Sequence, residues 1–243
     1  MTAPYFRWTA SPTYLAHLFK AVAKQHHKPL IPLFRRMIPE DGVVLDVGAH
    51  AGQYAKIFSR LAPRGQVYAF EPGSYARSIL RVALALNRCR NVAVVPLALG
   101  AREGTEILTL PVKRPGSYGF GLAHFGPETR FATVERETVA VSTIDRMTEL
   151  LGLTRLDFIK ADIEGWELQL VRGGEQTIRR FRPAMLLELN AQALARAGDD
   201  LETAFAAING LGYRPSVIDV TGAFTPVAAP RTGDIWWLPA ERL

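Results

Sequence analysis

The stretch Val43-Val44-Leu45-Asp46-Val47-Gly48-Ala49-His50-Ala51-Gly52 decides how the chain is read. Its first five residues are a short apolar run, bounded by Asp41-Gly42 and by Gly48. A strand buried on both faces reads this way. Tyr54, Ile57, Phe58 and Leu61 then recur at i, i+3, i+4 and i+7, one face of a helix. Pro63-Arg64-Gly65 breaks that helix. Strand, glycine-containing turn and helix in this order open an α/β unit.

The same alternation continues outward. Val67 to Phe70 is the second predicted strand, Ile79, Val82, Ala83 and Leu86 mark the second helix, and Val92 to Val95 is the third strand. Two strands, 106–110 and 138–141, flank a segment rich in Gly and Pro at 111–136. Its middle reads as a mobile loop, because long loops in compact domains are usually functional or disordered. A helix at 142–151, a strand at 157–161, a helix from Trp166 interrupted at Gly173-Gly174 and a strand at 183–189 follow. Leu201, Ala204, Phe205, Ile208 and Leu211 then space a helix that Asp199 or Asp200 caps and Gly212 ends. Strands at 217–220 and 234–238 close the chain and are expected to pair antiparallel. Trp236 and Trp237 alternate across the last one, so only one is expected to face the core side.

This order predicts one doubly wound α/β domain with a mostly parallel sheet, residues 41–243, carrying an insertion at about 105–141. Residues 1–40 are an extension with one helix, 14–23, whose Leu15, Leu18, Phe19 and Val22 fall at helical spacing. Packing of that helix on the domain is favoured over contact with a membrane surface. His26-His27 cannot converge on one metal from a helix, because neighbours point apart.

Composition excludes several classes. The chain has 243 residues, 48% of them hydrophobic and 21% charged, enough to bury a full core without staples. One cysteine, Cys89, excludes a disulfide framework or a multi-cysteine zinc site. No apolar run approaches the roughly 18 residues of a transmembrane helix. Residues 1–12 lack the pattern of a secretory signal, so a cytoplasmic protein is expected. The net charge of +6 and a pI near 9.7 favour anionic partners. Without a basic run interleaved with aromatics, nucleic acid is not expected among them.

Ligands of open parallel sheets bind beyond the carboxyl ends of the strands, where strand order reverses. Beyond the first strand, Gly48 and Gly52 let backbone approach a ligand, but the spacing is not the dinucleotide fingerprint G-x-G-x-x-G. Beyond the second, Glu71-Pro72 places an acid where it accepts hydrogen bonds from the two hydroxyls of a ribose. Beyond the third, Ala98 and its apolar neighbours suit the flank of an adenine. Beyond the fourth, Lys160-Ala161-Asp162-Ile163-Glu164-Gly165-Trp166-Glu167 holds three carboxylates beside a lysine. These serve either chemistry or the capping of the next helix.

Taken together, 45–52, Tyr68-Ala69-Phe70-Glu71-Pro72, Asn91-Val92 with Ala98-Leu99-Gly100, Thr143-Ile144-Asp145, 159–167, and Arg182-Pro183 with Leu187-Glu188 resemble the FkbM-type family of S-adenosylmethionine-dependent methyltransferases. The resemblance covers about residues 40–190. It implies a class I methyltransferase fold, usually seven strands with the last antiparallel, and methylation of a hydroxyl on a sugar, polyketide or similar small molecule. It implies that Asp46, Gly48 and Gly52 shape the methionine end of the cofactor site and that His50 lines it, where the family commonly has Asn. Glu71 would hold the ribose; Ala49, Tyr54, Pro72 and Ala98 complete the expected cofactor set.

Removing the acceptor's proton calls for a carboxylate or histidine in reach. Asp162 is the first candidate, also expected near the cofactor, Glu164 the second and His124 the third. His124 sits in the long loop with Tyr118 and Phe120, expected to form a lid over the substrate. Glu188 and Asn190, at the end of the fifth strand, are expected to line the substrate pocket. No metal is expected, although Asp162, Glu164 and Glu188 are oxygen ligands suited to Mg²⁺ or Ca²⁺. Two other readings remain open: a nicotinamide-dependent oxidoreductase, and a non-catalytic module that keeps the pocket.

Overall fold

The computed structural model describes residues 11–114, 117–118, 123–125, 133–220 and 222–242. Helices α1 (Pro12–Ala23) and α2 (Ile31–Met37) form the extension. The first half of the domain is β1 (Val43–Val47), α3 (Gln53–Leu61), β2 (Gln66–Phe70), α4 (Ser74–Leu86) and β3 (Val92–Val95). The insertion region holds β4 (Ala98–Leu99), β5 (Gly104–Arg114), β6 (Ser117–Tyr118), β7 (His124–Phe125) and β8 (Val134–Ser142). The second half is α5 (Ile144–Leu150), β9 (Phe158–Ala161), α6 (Glu167–Arg172), α7 (Glu175–Phe181), β10 (Ala184–Leu189), α8 (Ala191–Arg196), α9 (Leu201–Gly210), β11 (Tyr213–Ile218), β12 (Phe224–Pro226) and β13 (Gly233–Pro239).

The main sheet runs β12-β11-β13-β10-β9-β1-β2-β3. The strands β10, β9, β1, β2 and β3 are parallel, and β13 lies antiparallel between β10 and β11. The expected closing pair is therefore present, but the sheet has eight strands rather than seven. The extra one, β12, is three residues folded back on β11 at the sheet edge, too short to announce itself by periodicity.

Successive residues of the central strands point to opposite faces, and both faces are covered. Leu45, Ile159, Leu187 and Trp237 pack on one side with Phe205 and Ile208 of α9. Val44, Phe158, Leu186 and Trp236 pack on the other with Phe34 of α2 and Phe58 of α3. Trp236 and Trp237 alternate across β13 as expected, and because both faces of the sheet are covered each is buried in its own layer.

The extension holds a second helix that the sequence reading did not contain. Pro32 lies in the first turn of α2, where its missing N–H costs nothing. Helix α1 lays Tyr14 and Ala21 against Tyr75, Ile79 and Ala83 of the domain. Its C-terminal end is held by Lys56, which is buried and donates to the carbonyls of Ala21 and Lys24 at 2.5 and 3.0 Å. A cation at a helix C-terminus meets the negative end of the helix dipole.

The insertion is a second sheet, β4-β8-β5-β6, with β7 also paired to β5. Strands β5 and β8 pair antiparallel from Gly104↔Val141 to Pro111↔Val134. Of the expected lid, Phe120 lies outside the described residues, and Tyr118 is described only as backbone in β6. Among the described residues no helix is long and apolar enough to cross a membrane.

Candidate active site

From β1 the chain proceeds outward to β2 and β3; from β9 it proceeds the other way, to β10. The switch point therefore lies between β1 and β9, and a cavity of about 310 Å³ opens there, lined by residues that follow β1, β2 and β9. Its size lies at the lower end of the range for small-molecule sites, roughly 300–1,000 Å³.

Gly48 makes this geometry possible. Its φ is +73°, and a Cβ there would lie 2.0 Å from the carbonyl oxygen of Asp162. The loops after β1 and β9 thus cross at backbone contact, with the Asp162 amide donating to Val47 at 3.2 Å. Gly52 (φ +80°) precedes α3 and packs against Leu80. Between them His50 also takes a left-handed conformation, φ 49°, which His, Asn and Asp tolerate better than most residues. Burial lowers the His50 pKa to about 4, so its imidazole is neutral at pH 7.

Asp46 is fully buried at the end of β1, and neither of its carboxylate oxygens makes a well-formed hydrogen bond. Burial raises its pKa to about 6, with Lys160 and the amide of Ala55 in the first turn of α3 offsetting part of the cost. Glu71 ends β2. Its two oxygens accept from the amides of His50 (2.8 Å) and Gly73 (2.9 Å), which fixes it across the loop after β1. Burial raises its pKa to about 7. A carboxylate has about four acceptor sites, so both oxygens remain able to accept from a ligand.

The loop after β9 separates the roles of its three carboxylates. Glu167 is fully buried, and its Oε1 accepts from the amides of Ile163 (3.0 Å) and Gly165 (3.4 Å). These bonds bracket Glu164, which is held at φ 54° and lines the cavity. Burial and the nearby Asp162 raise the Glu164 pKa. Asp162 also lines the cavity and lies 3.5 Å from Lys160 Nζ. No side chain caps α6, so the capping role weighed for Asp162 or Glu164 is not filled; Glu167, in the first turn, braces the preceding loop instead.

The structure brings together Gly48, Ala49, His50, Tyr54, Glu71, Pro72, Asp162 and Glu164 around one cavity. Ala98 is elsewhere: β4 pairs with β8, which draws Ala98 into the insertion's own core with Leu108 and Val139. The apolar wall beside Glu71 comes instead from Leu108, which packs against Gly73, together with Ala123 and Phe125. Phe125 packs against Trp166 with ring centroids 4.3 Å apart and planes tilted by 43°, tying the insertion to the loop after β9. His124 is buried and does not line the cavity, but is close enough to Glu164 to favour its charge. Asn190 caps α8, accepting from the Ala193 amide at 3.0 Å, and does not line the cavity.

Glu188, expected to line the substrate pocket, does not line the cavity either; it lies opposite Asp234 in the β10–β13 pair, two like groups face to face. Burial, with Asp162 and Asp234 near, raises the Glu188 pKa to about 7, and the Asp234 pKa is raised too. Among the described residues no three His, Cys, Asp or Glu side chains form a metal-binding group.

One lining residue comes from outside the domain. His27 stacks on Tyr54 with ring centroids 4.3 Å apart, and its Nδ1 is 3.2 Å from the Tyr54 hydroxyl. Lys160 Nζ lies 4.8 Å from the centre of the same ring. Burial lowers the His27 pKa, with Lys160 adding to the effect. Gln25 and His26 bind the Gln53 backbone and side chain, which anchors this stretch at the start of α3.

A methyltransferase FkbM domain model matches residues 46–215. Methyltransferase sdnD of Sordaria araneosa is 27% identical over 165 residues, covering 57% of this chain and 62% of that protein. The 2-O-methyltransferase NoeI of Sinorhizobium fredii is 25% identical over 166 residues, covering 64% of this chain and 65% of that protein. The crystal structure of methyltransferase FkbM from Methylobacillus flagellatus KT superposes with a TM-score of 0.51 at 17% identity, over 82% of this chain and 44% of that one. The chain spans less than two thirds of the length of the curated relatives it matches. With the family model covering well over half of its residues, the chain belongs to the FkbM methyltransferase family.

Proposed function

We propose that the protein is an S-adenosylmethionine-dependent O-methyltransferase acting on a hydroxyl of a small molecule, a sugar or similar natural product. The observation that carries this is one cavity at the switch point with Glu71 on one side and Asp162 and Glu164 on the other. The residues fit the cofactor. Gly48 lets the loops after β1 and β9 close around the cavity, Glu71 offers acceptors to a ribose, and Leu108, Ala123 and Phe125 give the apolar wall a purine needs. Asp46, a buried carboxylate without a well-formed partner, does not line the cavity but interacts with the charges of Lys160 and Asp162, which do, and adds negative charge for a cationic ligand. Bound S-adenosylmethionine supplies an electrophilic methyl group on a sulfonium.

The chain's own part is to align a hydroxyl oxygen and take its proton. Glu164 suits the second task, since its raised pKa makes it a better acceptor than an ordinary carboxylate. Asp162, held beside Lys160 at the cavity wall, offers acceptors to the other hydroxyls of a polyol. NoeI, by its name, methylates a 2-hydroxyl, which fits such an acceptor.

The test is methyl transfer from labelled S-adenosylmethionine to a panel of sugars and polyketide alcohols. Product at an oxygen is expected, with Glu164→Gln at least about 100-fold slower and S-adenosylhomocysteine affinity unchanged. Transfer to RNA, or to an amine alone, would sink the hydroxyl reading.

A further inference from the structure

Helix α1 is apolar on both faces. Tyr14, Ala21 and, partly, Leu18 and Val22 pack inward. Pro12, Leu15, Ala16, Phe19 and Ala23 fall at i, i+3, i+4, i+7 and i+11 and are exposed, Phe19 by 67% and Leu15 by 49%. A helix apolar all round is normally buried all round. This one cannot bury the outer stripe by rotating, because Lys56 pins its C-terminal end and Tyr14 is locked beneath it.

The charge of the chain is concentrated in the same segment. Residues 1–39 contain six basic side chains (Arg7, Lys20, Lys24, Lys28, Arg35 and Arg36) and no acidic one. The remaining 204 residues hold 23 basic and 23 acidic side chains, so the whole net charge of +6 resides in the extension. None of Lys20, Lys24, Lys28, Arg35 and Arg36 forms a salt bridge among the described residues. The sequence before α1 adds Tyr5 and Trp8, residue types that favour a membrane–water interface.

We propose that the outer stripe of α1 with its basic neighbours is a docking surface for an anionic lipid bilayer. The basic residues fit an acidic headgroup layer, and Leu15 and Phe19 fit the acyl boundary beneath it. Nucleic acid matches the charge but leaves an exposed Leu–Phe stripe without a role. Because the same extension delivers His27 to the cavity, a docked molecule would hold its active-site cavity within one short segment of the bilayer surface. Docking does not depend on the methyl-transfer reading and is tested without it.

The experiment is co-sedimentation of the full chain with phosphatidylcholine vesicles, with and without phosphatidylglycerol, at low and high salt. Binding is expected only to the anionic vesicles and is expected to weaken with salt. Each basic side chain near such a surface strengthens binding about fivefold. Lys20→Gln with Lys24→Gln is therefore expected to weaken it by at least about tenfold. Leu15→Ser with Phe19→Ser is expected to do the same, since each removes a buried apolar side chain from the bound state. Both pairs are exposed, and their unfolding temperatures are expected to match that of the parent. Failure to bind anionic vesicles would overturn the proposal. So would binding indifferent to the Leu15/Phe19 pair, a dimer that the same pair dissociates, or an RNA oligonucleotide that displaces the vesicles while ignoring that pair.

Discussion

Replacing Asp46 by Asn is expected to change stability in a way that depends on pH. Asp46 is fully buried, and burial raises its pKa from 3.8 to about 6. The folded-state pKa is the higher of the two, so folding favours the protonated form. The penalty is small below about pH 4, grows as the pH rises toward 6, and is constant above that. Such a shift corresponds to about 1 kcal/mol at pH 4.5 and about 3 kcal/mol at pH 8. Asn carries no such penalty, and any cost of its own buried amide is the same at every pH. Relative to the parent, Asp46→Asn should therefore gain about 2 kcal/mol between pH 4.5 and pH 8. In a domain of this size that is about 4–8 °C in unfolding temperature. The assay is thermal unfolding of both proteins across this range, with calorimetric titration of S-adenosylhomocysteine and S-adenosylmethionine at pH 8. The variant should be relatively more stable at pH 8 and bind the sulfonium compound more weakly. A stability difference that does not move with pH would mean that the carboxylate is already satisfied, and would refute the reasoning.

Other outcomes follow from the same geometry. Gly48→Ala places a Cβ 2.0 Å from the Asp162 carbonyl at a φ of +73° and should abolish cofactor binding, whereas Gly210→Ala, with nothing within 4 Å, should change nothing in the same titration. Glu71, with a pKa raised to about 7, should lose its ribose-accepting form as the pH falls. S-adenosylhomocysteine affinity measured from pH 8.5 to 5.5 should therefore decline in the parent and stay flat, at least about tenfold weaker, in Glu71→Gln. Lys56→Met leaves the carbonyls of Ala21 and Lys24 without their donor and should cost about 2 kcal/mol in chemical unfolding, with faster proteolysis near α1.

What the sequence made legible were features encoded in neighbouring residues. Gly48 to Gly52, Glu71 and the 162–167 carboxylates each sit just past a strand whose apolar run is readable by itself, and Asp46 sits near the end of the first one. Parallel-sheet geometry then brings those strand ends to one cavity. Features set by distant packing were not legible. Ala98 follows a strand as a cofactor residue should, yet two bridge pairs to β8 take it into another core. Leu108, Ala123 and Phe125 reach the site only because the insertion folds as a sheet over it. His27 reaches it only because Gln25 and His26 bind Gln53, contacts across more than 25 residues. Asn190 is different, since its signal was local. An Asn directly before Ala191–Arg196 is an N-cap pattern, and that reading was available before the helix was seen.

The central claim is that the cavity between β1 and β9 is an adenosyl cofactor site. Calorimetric titration of the purified chain with S-adenosylhomocysteine, and separately with NAD, tests it most directly. Saturable binding of S-adenosylhomocysteine, one per chain, weakened at least about tenfold in Glu71→Gln, with no heat from NAD, is the expected result. Binding of NAD in place of S-adenosylhomocysteine, or S-adenosylhomocysteine binding that Glu71→Gln leaves untouched, would contradict it.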